Sequence, residues 1–341
     1  MASDEFDIIR RYFNSAALAF ARPPVRLGIG DDCALLSPSV GMQLAMSMDI
    51  LQEGVHFLPD ADPFLLGKRS LLVNLSDLAA MGARPLCFTL GLCLPKADPD
   101  WLEPFSRGLA EVAQAHDCPL VGGDMSGAAP VHGSKTICIQ VQGELPAEQA
   151  MLRSGARPGD LLYVTGTLGD AAAGLALLQG RLQTQLSAAA HGALLQAFYE
   201  PESRVQAGQL LREFASACID LSDGLASDLG HILLASGVGA LIDTEALPLS
   251  APFRAAVPQA AQLAMAVGGG DDYELCFTLP AQREAAMAEL FARHGIAAQR
   301  IGVVTEQLGM QWRTQGRVLP LQFSGYRHFS EGSYRPTEES P

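Results

Sequence analysis

Aspartates set among glycines or beside serine recur five times along this chain. They read Gly28-Ile-Gly-Asp-Asp-Cys33, Asn74-Leu-Ser-Asp77, Gly122-Gly-Asp124, Asp220-Leu-Ser-Asp-Gly224 and Gly268-Gly-Gly-Asp-Asp272. A sixth acid, Asp49, closes the apolar run Leu44-Ala-Met-Ser-Met48. Carboxylates so far apart in sequence repel one another if they meet in space, and cations can hold them together. Hard oxygen ligands favour Mg²⁺. Glycine lets the backbone approach an oxygen-rich group and present N–H donors to it. Magnesium, several carboxylates and bare amides together describe a site for a nucleoside triphosphate.

Each motif has a plainer explanation. Asp31-Asp32 taken alone reads as a turn, and Asp124 as part of a loop. Ser222-Asp223 reads as a helix N-cap followed by a favourable first-turn acid. Asp271-Asp272 at a flexible loop end reads as solvated. Asp77 resists this treatment, because it sits in the most apolar stretch of the chain. An unpaired carboxylate there would cost several kcal/mol or so to bury. Repetition of one Gly/Asp pattern favours a metal site over five separate explanations. Familiar nucleotide loops are absent: there is no Gly-x-x-x-x-Gly-Lys-Ser/Thr, and Gly67-Lys68-Arg69 falls inside a helix. Neither His-Glu-x-x-His nor Gly-x-Ser-x-Gly occurs, and the dispersed histidines argue against zinc.

The elements that must position these acids follow from spacing. Apolar residues at Phe6, Ile9, Phe13 and Leu18 predict a first helix over 4–20. A strand is expected at 43–48. Asp62-Pro63 caps a long helix reaching Met81, with Asn74 and Asp77 on one face. A strand follows at 85–94, with Phe88, Leu90, Leu92 and Leu94 on one side. A second capped helix runs from Asp98-Pro99 to His116, and strands follow at 118–121 and 135–143. Later strands are expected at 160–165, 218–221, 239–243, 273–279, 299–305 and 317–321. Later helices are expected at 169–180, 191–215 and 281–294, with another capped by Ser222. Alternation of strands and helices argues α/β or α+β. The Gly- and Pro-rich segment 143–158 divides the chain into 1–145 and 146–330, with a polar tail over 331–341. Asn74-Leu-Ser-Asp-Leu-Ala-Ala80 echoes Asp220-Leu-Ser-Asp-Gly-Leu-Ala226, as if each half offered an acid to a shared cleft; chance similarity explains the echo equally well.

A chain of 341 residues suits two domains. Hydrophobic residues at 48% and charged residues at 18% suit a soluble enzyme. No apolar run is long enough to span a membrane, and the acidic N-terminus lacks a signal peptide's apolar region. Seven scattered cysteines without a Cys-x-x-Cys pair predict reduced thiols in the cytoplasm. A formal charge of −14 disfavours nucleic acid and anionic membranes as partners.

The ordered set Gly-Ile-Gly-Asp-Asp-Cys-Ala, Asn-Leu-Ser-Asp-Leu-Ala-Ala-Met-Gly-Ala, Gly-Gly-Asp, Arg-Ser-Gly-Ala-Arg-Pro-Gly-Asp, Ile-Asp-Leu-Ser-Asp-Gly-Leu and Gly-Gly-x-Asp-Tyr-Glu-Leu resembles the thiamine-monophosphate kinase family. The likeness runs from about Phe6 to Phe329. This family belongs to the wider group of ATP-using enzymes related to aminoimidazole ribonucleotide synthetase. The resemblance implies two α/β domains, with N-terminal domains pairing into a β-barrel across a homodimer. It also implies several Mg²⁺ ions held by Asp32, Ser47, Asp49, Asp77, Asp124, Asp220 and Asp223. The position between Ser47 and Asp49 is usually threonine in the family; Met48 here could offer a metal only its backbone carbonyl. ATP contacts would come from Gly122, Gly123, Arg153 and Ser222. Thiamine-phosphate contacts would come from His56, Asp271 and Phe323, where the family often has glutamate for Asp271 and tryptophan for Phe323.

The implied reaction agrees with the residues. Its acceptor is a phosphate oxygen, largely ionised at neutral pH because a phosphomonoester has a second pKa near ~6. No general base is then needed, and none stands out; metal-bound aspartates would supply charge stabilisation for a direct transfer. Phe323, Tyr326 or Trp312 could face the cationic thiazolium at about 0.5–2 kcal/mol per contact. For Trp312 and Tyr326, core packing is the preferred reading. Rival readings are a sister enzyme closing an imidazole ring or making selenophosphate, and a non-catalytic Mg²⁺ or nucleotide sensor. The selenophosphate reading lacks a reactive cysteine in the N-terminal stretch, since the first cysteine is Cys33.

Overall fold

A computed structural model describes residues 5–127, 133–319 and 323. Two sheets organise the chain. The first has four strands in the order Met42–Gln52, Thr136–Pro146, Arg84–Leu94, Leu120–Gly127. Side chains alternate faces along each strand. Phe88, Leu90, Leu92 and Leu94 therefore join Ile137, Ile139 and Val141 on one buried face. The Pro63–Ala80 and Pro99–Ala115 helices pack with this face. Asp62 caps the first, accepting from the Phe64 and Leu65 amides at 2.9 and 3.0 Å. The two helices touch through glycines. A Cβ on Gly67 would stand 2.3 Å from the Phe105 carbonyl, and one on Gly108 2.0 Å from that of Phe64.

The second sheet has seven strands, from Arg317–Leu319 through Gly309–Thr314, Gly239–Asp243, Ala298–Thr305, Leu161–Thr165 and Leu275–Leu279 to Ala217–Asp220. All pairings are antiparallel except Gly309–Thr314 beside Gly239–Asp243. Ala217–Asp220 is thus an edge strand, and its last residue meets the Pro63–Ala80 helix. That helix is buried almost all round, because the Val205–Leu211 helix closes on it from the other side. There Gly208 lies so near Ala79 that a Cβ would sit 1.9 Å from its carbonyl oxygen. One continuous core joins Leu71 and Phe88 to Phe277 and Phe291.

Several sequence expectations need correction. The first helix shrinks to Glu5–Ile8 plus a wider turn, Ile9–Phe13, although Leu18 is still fully buried. The helix expected over 191–215 is two, Ala188–Tyr199 and Val205–Leu211. Pro201 lies between them, and it can neither donate an amide bond nor tolerate the preceding turn. Ser222 does not cap a helix: the next one runs Leu225–Ser236 from Gly224, whose φ of +103° and ψ of 150° lie outside L-residue space. Two short helices, Ala251–Ala256 and Gln259–Gly268, and the strand Gly309–Thr314 had no clear periodic signature. Tyr326 and the 331–341 tail lie outside the described residues. Among the described residues no helix is long and apolar enough to cross a membrane.

Candidate active site

Alternation along Met42–Gln52 turns Ser47 and Asp49 toward the Pro63–Ala80 helix and Met48 away from it. Ser47 Oγ donates to Asp77 Oδ2 at 2.5 Å. The Asp49 amide donates to Asn74 Oδ1 at 3.2 Å, and Asn74 Nδ2 is held by the Ser70 carbonyl at 2.9 Å. From the other half of the chain, Asp220 reaches the same helix and accepts from Ser76 Oγ at 2.8 Å. Burial, followed by the charges of Asp77 and Asp220, pushes the Asp49 carboxyl up to about 7. Burial and then the Asp77 charge push Asp220 up to about 6. Asp77 is also raised by burial, against the opposing effects of the Ser47 hydroxyl and the Arg153 guanidinium. Ser47, Asp77, Arg153 and Asp220 line a cavity of about 240 Å³. A larger cavity of about 590 Å³, beside Leu182 and Arg254, contains none of these carboxylates.

Two loops extend the site. Asp223 donates its amide to Asp228 Oδ2 at 3.0 Å, so Asp228 organises the turn that sequence assigned to Ser222. Burial lifts Asp228 to about 7, with the Asp220 and Asp223 charges adding to it. Beside this turn, the Asp271 amide donates to the Ser222 carbonyl and the Tyr273 amide to that of Leu221, both at 2.8 Å. Asp271 is not a solvated loop acid. Its Oδ1 accepts from Arg69 Nη2 at 2.5 Å and from the Tyr273 hydroxyl at 3.3 Å. Asp272 keeps some exposure as a residue, yet its carboxylate turns inward. Oδ1 accepts from the Gly169 amide at 2.8 Å, while Oδ2 is shielded from water without a partner. Sequence reasoning overlooked Arg69 and Asp228. The signal for Arg69 was a cation beside Lys68 in a helix whose apolar residues leave little solvent face, since a charge buried there must be paired.

Other expected site residues stand apart. Asp124 is exposed and pairs with Gly91, which in turn pairs with Cys138, the partner of Ile50. This chain of partners puts Asp124 on the sheet face opposite Asp49, three strands away, or roughly 14 Å. Gly122 and Gly123 share its strand, where a Cβ on Gly123 would stand 2.0 Å from the Leu90 carbonyl. Asp32 is exposed beyond Asp31, whose carboxylate accepts its amide at 2.9 Å. The Met48 side chain is 55% exposed on the outer face, leaving only its backbone near Asp49. His56 Nδ1 accepts from the Gln52 amide at 3.0 Å. Phe323 packs edge-to-face on Trp312, with ring centroids 4.8 Å apart. Trp312 is core, and its strand lies five places from that of Asp220, roughly 24 Å across the sheet.

Comparison with known proteins turns this geometry into a family assignment. The model for the AIR synthase related protein N-terminal domain matches residues 30–145, and that for the C-terminal domain matches 157–313. The chain is 46% identical over 331 residues to the thiamine-monophosphate kinase of Salmonella typhimurium, covering 97% of this chain and 99% of that one. The chain belongs to the thiamine-monophosphate kinase family. The crystal structure of the Stenotrophomonas maltophilia thiamine-monophosphate kinase superposes with a TM-score of 0.80 at 40% identity, covering 87% of this chain and 93% of that chain. The solved structure of AaThiL complexed with AMPPCP and TMP gives 0.74 at 31% identity, covering 86% and 89%.

The donor chemistry of this family member fits a hard divalent cation. Ser47, Asp49, Asp77 and Asp220 offer only oxygen, and burial holds each carboxyl above its ordinary range, with neighbouring carboxylates adding to the rise at Asp49 and Asp220. Among the described residues, no three His, Cys, Asp or Glu side chains enclose an ion by themselves. Mg²⁺ suits such an open arrangement, because it keeps waters and shares its ligands between one or two carboxylates and substrate phosphates.

Proposed function

We propose that this chain phosphorylates thiamine monophosphate with ATP, giving thiamine diphosphate by direct in-line transfer. The observation that carries this reading is the near-full-length identity to the Salmonella typhimurium enzyme, supported by convergence of Asp49, Asp77 and Asp220 from both halves of the chain. AaThiL was solved with AMPPCP, an ATP analogue, and TMP together. Bound Mg²⁺ would neutralise and template the two phosphate groups. Asp49, Asp77, Asp220 and Asp223, with Ser47 and the Met48 carbonyl, would hold it, joined by Asp32 and Asp124. Arg153, whose charge acts on Asp77 and Asp220, would contact the phosphates of ATP together with Ser222 and the Gly122 and Gly123 amides. Asp271, with His56 and Phe323, would contact the acceptor. No protein group needs to remove a proton, because the attacking phosphate oxygen is already ionised.

The functional unit in this reading is a homodimer of chains divided into domains 1–145 and 146–330, with a tail over 331–341. Its support is a stripe on the outer face of the edge strand Met42–Gln52. Met42, Leu44, Met46, Met48 and Ile50 are 37–59% exposed there, on the same face as Asp124. An uncovered apolar edge of this length invites pairing. A cytoplasmic setting accords with seven unbonded cysteines. The deciding experiment measures ATP consumption with thiamine monophosphate against aminoimidazole precursors under saturating Mg²⁺. Thiamine diphosphate as product supports the reading; turnover only with the ring-closing precursor, or ATP binding without turnover, overturns it.

A further inference from the structure

Arg69 is 1% exposed, yet no metal or phosphate role was assigned to it. Its guanidinium lies 4.1 Å from the Phe198 ring centroid and 5.8 Å from that of Tyr273. Nη1 donates to the Phe198 carbonyl and Nη2 to Asp271 Oδ1, each at 2.5 Å, while Nε is buried without a partner. An arginine placed only for stability would not leave a buried donor unpaired, and an apolar side chain of similar volume is often as stable in such a place. Its two satisfied nitrogens instead tie the Phe198 carbonyl to the Asp271 carboxylate. Both side-chain contacts of Asp271, from Arg69 and from the Tyr273 hydroxyl, fall on Oδ1 and neither on Oδ2. Backbone geometry reinforces this. Asp271 and Tyr273 have φ of +68° and +51°, a region that costs a tyrosine energy, and the Ser222 and Leu221 carbonyls hold them there.

We propose that Arg69 is a positioning residue for substrate choice: from the helix that carries Asp77, it orients the Asp271 carboxylate so that Oδ2 accepts a hydrogen bond from the organic part of the acceptor. Because Arg69 offsets the charge of Asp271, the pair reads a hydrogen-bond donor, as an aminopyrimidine presents, rather than a positive ring. This rests on the proposed acceptor role of Asp271.

The test compares Arg69→Lys, Arg69→Met and Asp271→Ala, alone and combined, by steady-state kinetics and thermal melting. Arg69→Lys keeps the buried charge but cannot span both Phe198 and Asp271, so it covers the case in which Arg69→Met does not fold. The expected result is a KM for thiamine monophosphate raised about tenfold or more in each single variant. KM for ATP should stay within about twofold, and the Arg69 and Asp271 effects should not add in the double variant. An unchanged KM for thiamine monophosphate in Arg69→Lys, or equal losses toward both substrates, overturns the proposal. If Asp271→Ala raises that KM and Arg69→Lys does not, the Arg69 inference fails and the acceptor role of Asp271 stands. If Asp271→Ala has no effect, the acceptor role fails and takes the inference with it.

Discussion

Ser76 donates its hydroxyl to Asp220 Oδ2 across 2.8 Å, so the two similarly spelled segments Asn74-Leu-Ser-Asp77 and Asp220-Leu-Ser-Asp223 meet, the serine of the first on the leading acid of the second. Each comes from a different half of the chain, and Asp77 raises the Asp220 carboxyl by its charge. Chance similarity of two motifs does not require them to touch.

Ser76→Ala therefore has a defined consequence. It removes a donor that favours the charged form of Asp220, in a site where both residues are buried. Urea unfolding should show a loss of about 1–2 kcal/mol, and kcat should fall while KM for thiamine monophosphate changes little. Unaltered stability and kcat would make the contact incidental.

Asp49→Asn tests the carboxylate cluster. Removing one of three mutually repelling acids should lower kcat by on the order of a hundredfold or more, as for other groups that organise charge at a phosphoryl-transfer site. Without Mg²⁺, the melting temperature of the variant should equal or exceed that of the parent, because Asp49 is held at about 7 against its own ionisation. Near-normal kcat would show that the carboxylate is structural.

A pH effect is expected from Asp272. Its Oδ2 is dry and unpartnered, and burial, followed by the charges of Glu274, Asp170 and Asp271, raises its carboxyl well above the ordinary range. The folded state then holds a proton that the unfolded chain releases near pH ~3.9, so stability is greatest in acid and declines as pH rises through the folded value. Asp272→Asn keeps an acceptor for the Gly169 amide and carries no ionisable group. Chemical denaturation between pH ~5 and ~8 should give a shallower decline in this variant than in the parent. Parallel curves would assign the slope to other groups.

Legibility varied with the physics behind each element. Long elements with strong caps, such as Pro63–Ala80 and Pro99–Ala115, stood out because Asp-Pro signals and apolar spacing agreed. Asp49, Asp77 and Asp220 stand out because a carboxylate set in apolar sequence is costly to bury without a partner. The Leu225 start was hidden, because a buried acid four residues into the turn, rather than Ser222, takes the Asp223 amide. The Arg69–Asp271 pair spans 202 positions, and no local pattern encodes such a contact. Asp32 and Asp124 join Asp49 through the repeated Gly/Asp pattern and the family resemblance, neither of which carries sheet register, and register puts Asp124 on the other sheet face.

That outer face supports the last prediction. Five apolar side chains project from Met42–Gln52, each at least 37% exposed, and the strand is an edge of its sheet. Burying one such side chain contributes about 1.5–3 kcal/mol, and a twofold interface would bury each stripe on both copies. A charge placed there must be desolvated on pairing, at a cost of several kcal/mol or so. Ile50→Lys and Met48→Lys should therefore convert a dimer to monomer in sedimentation at micromolar concentration, with little change in monomer folding because both side chains point to solvent in the single chain. Asp124 lies on the same face, so activity should fall with the monomer fraction and recover in part at high protein concentration. Parent protein that is already monomeric, or lysine variants that remain dimeric, would remove the stripe as the interface.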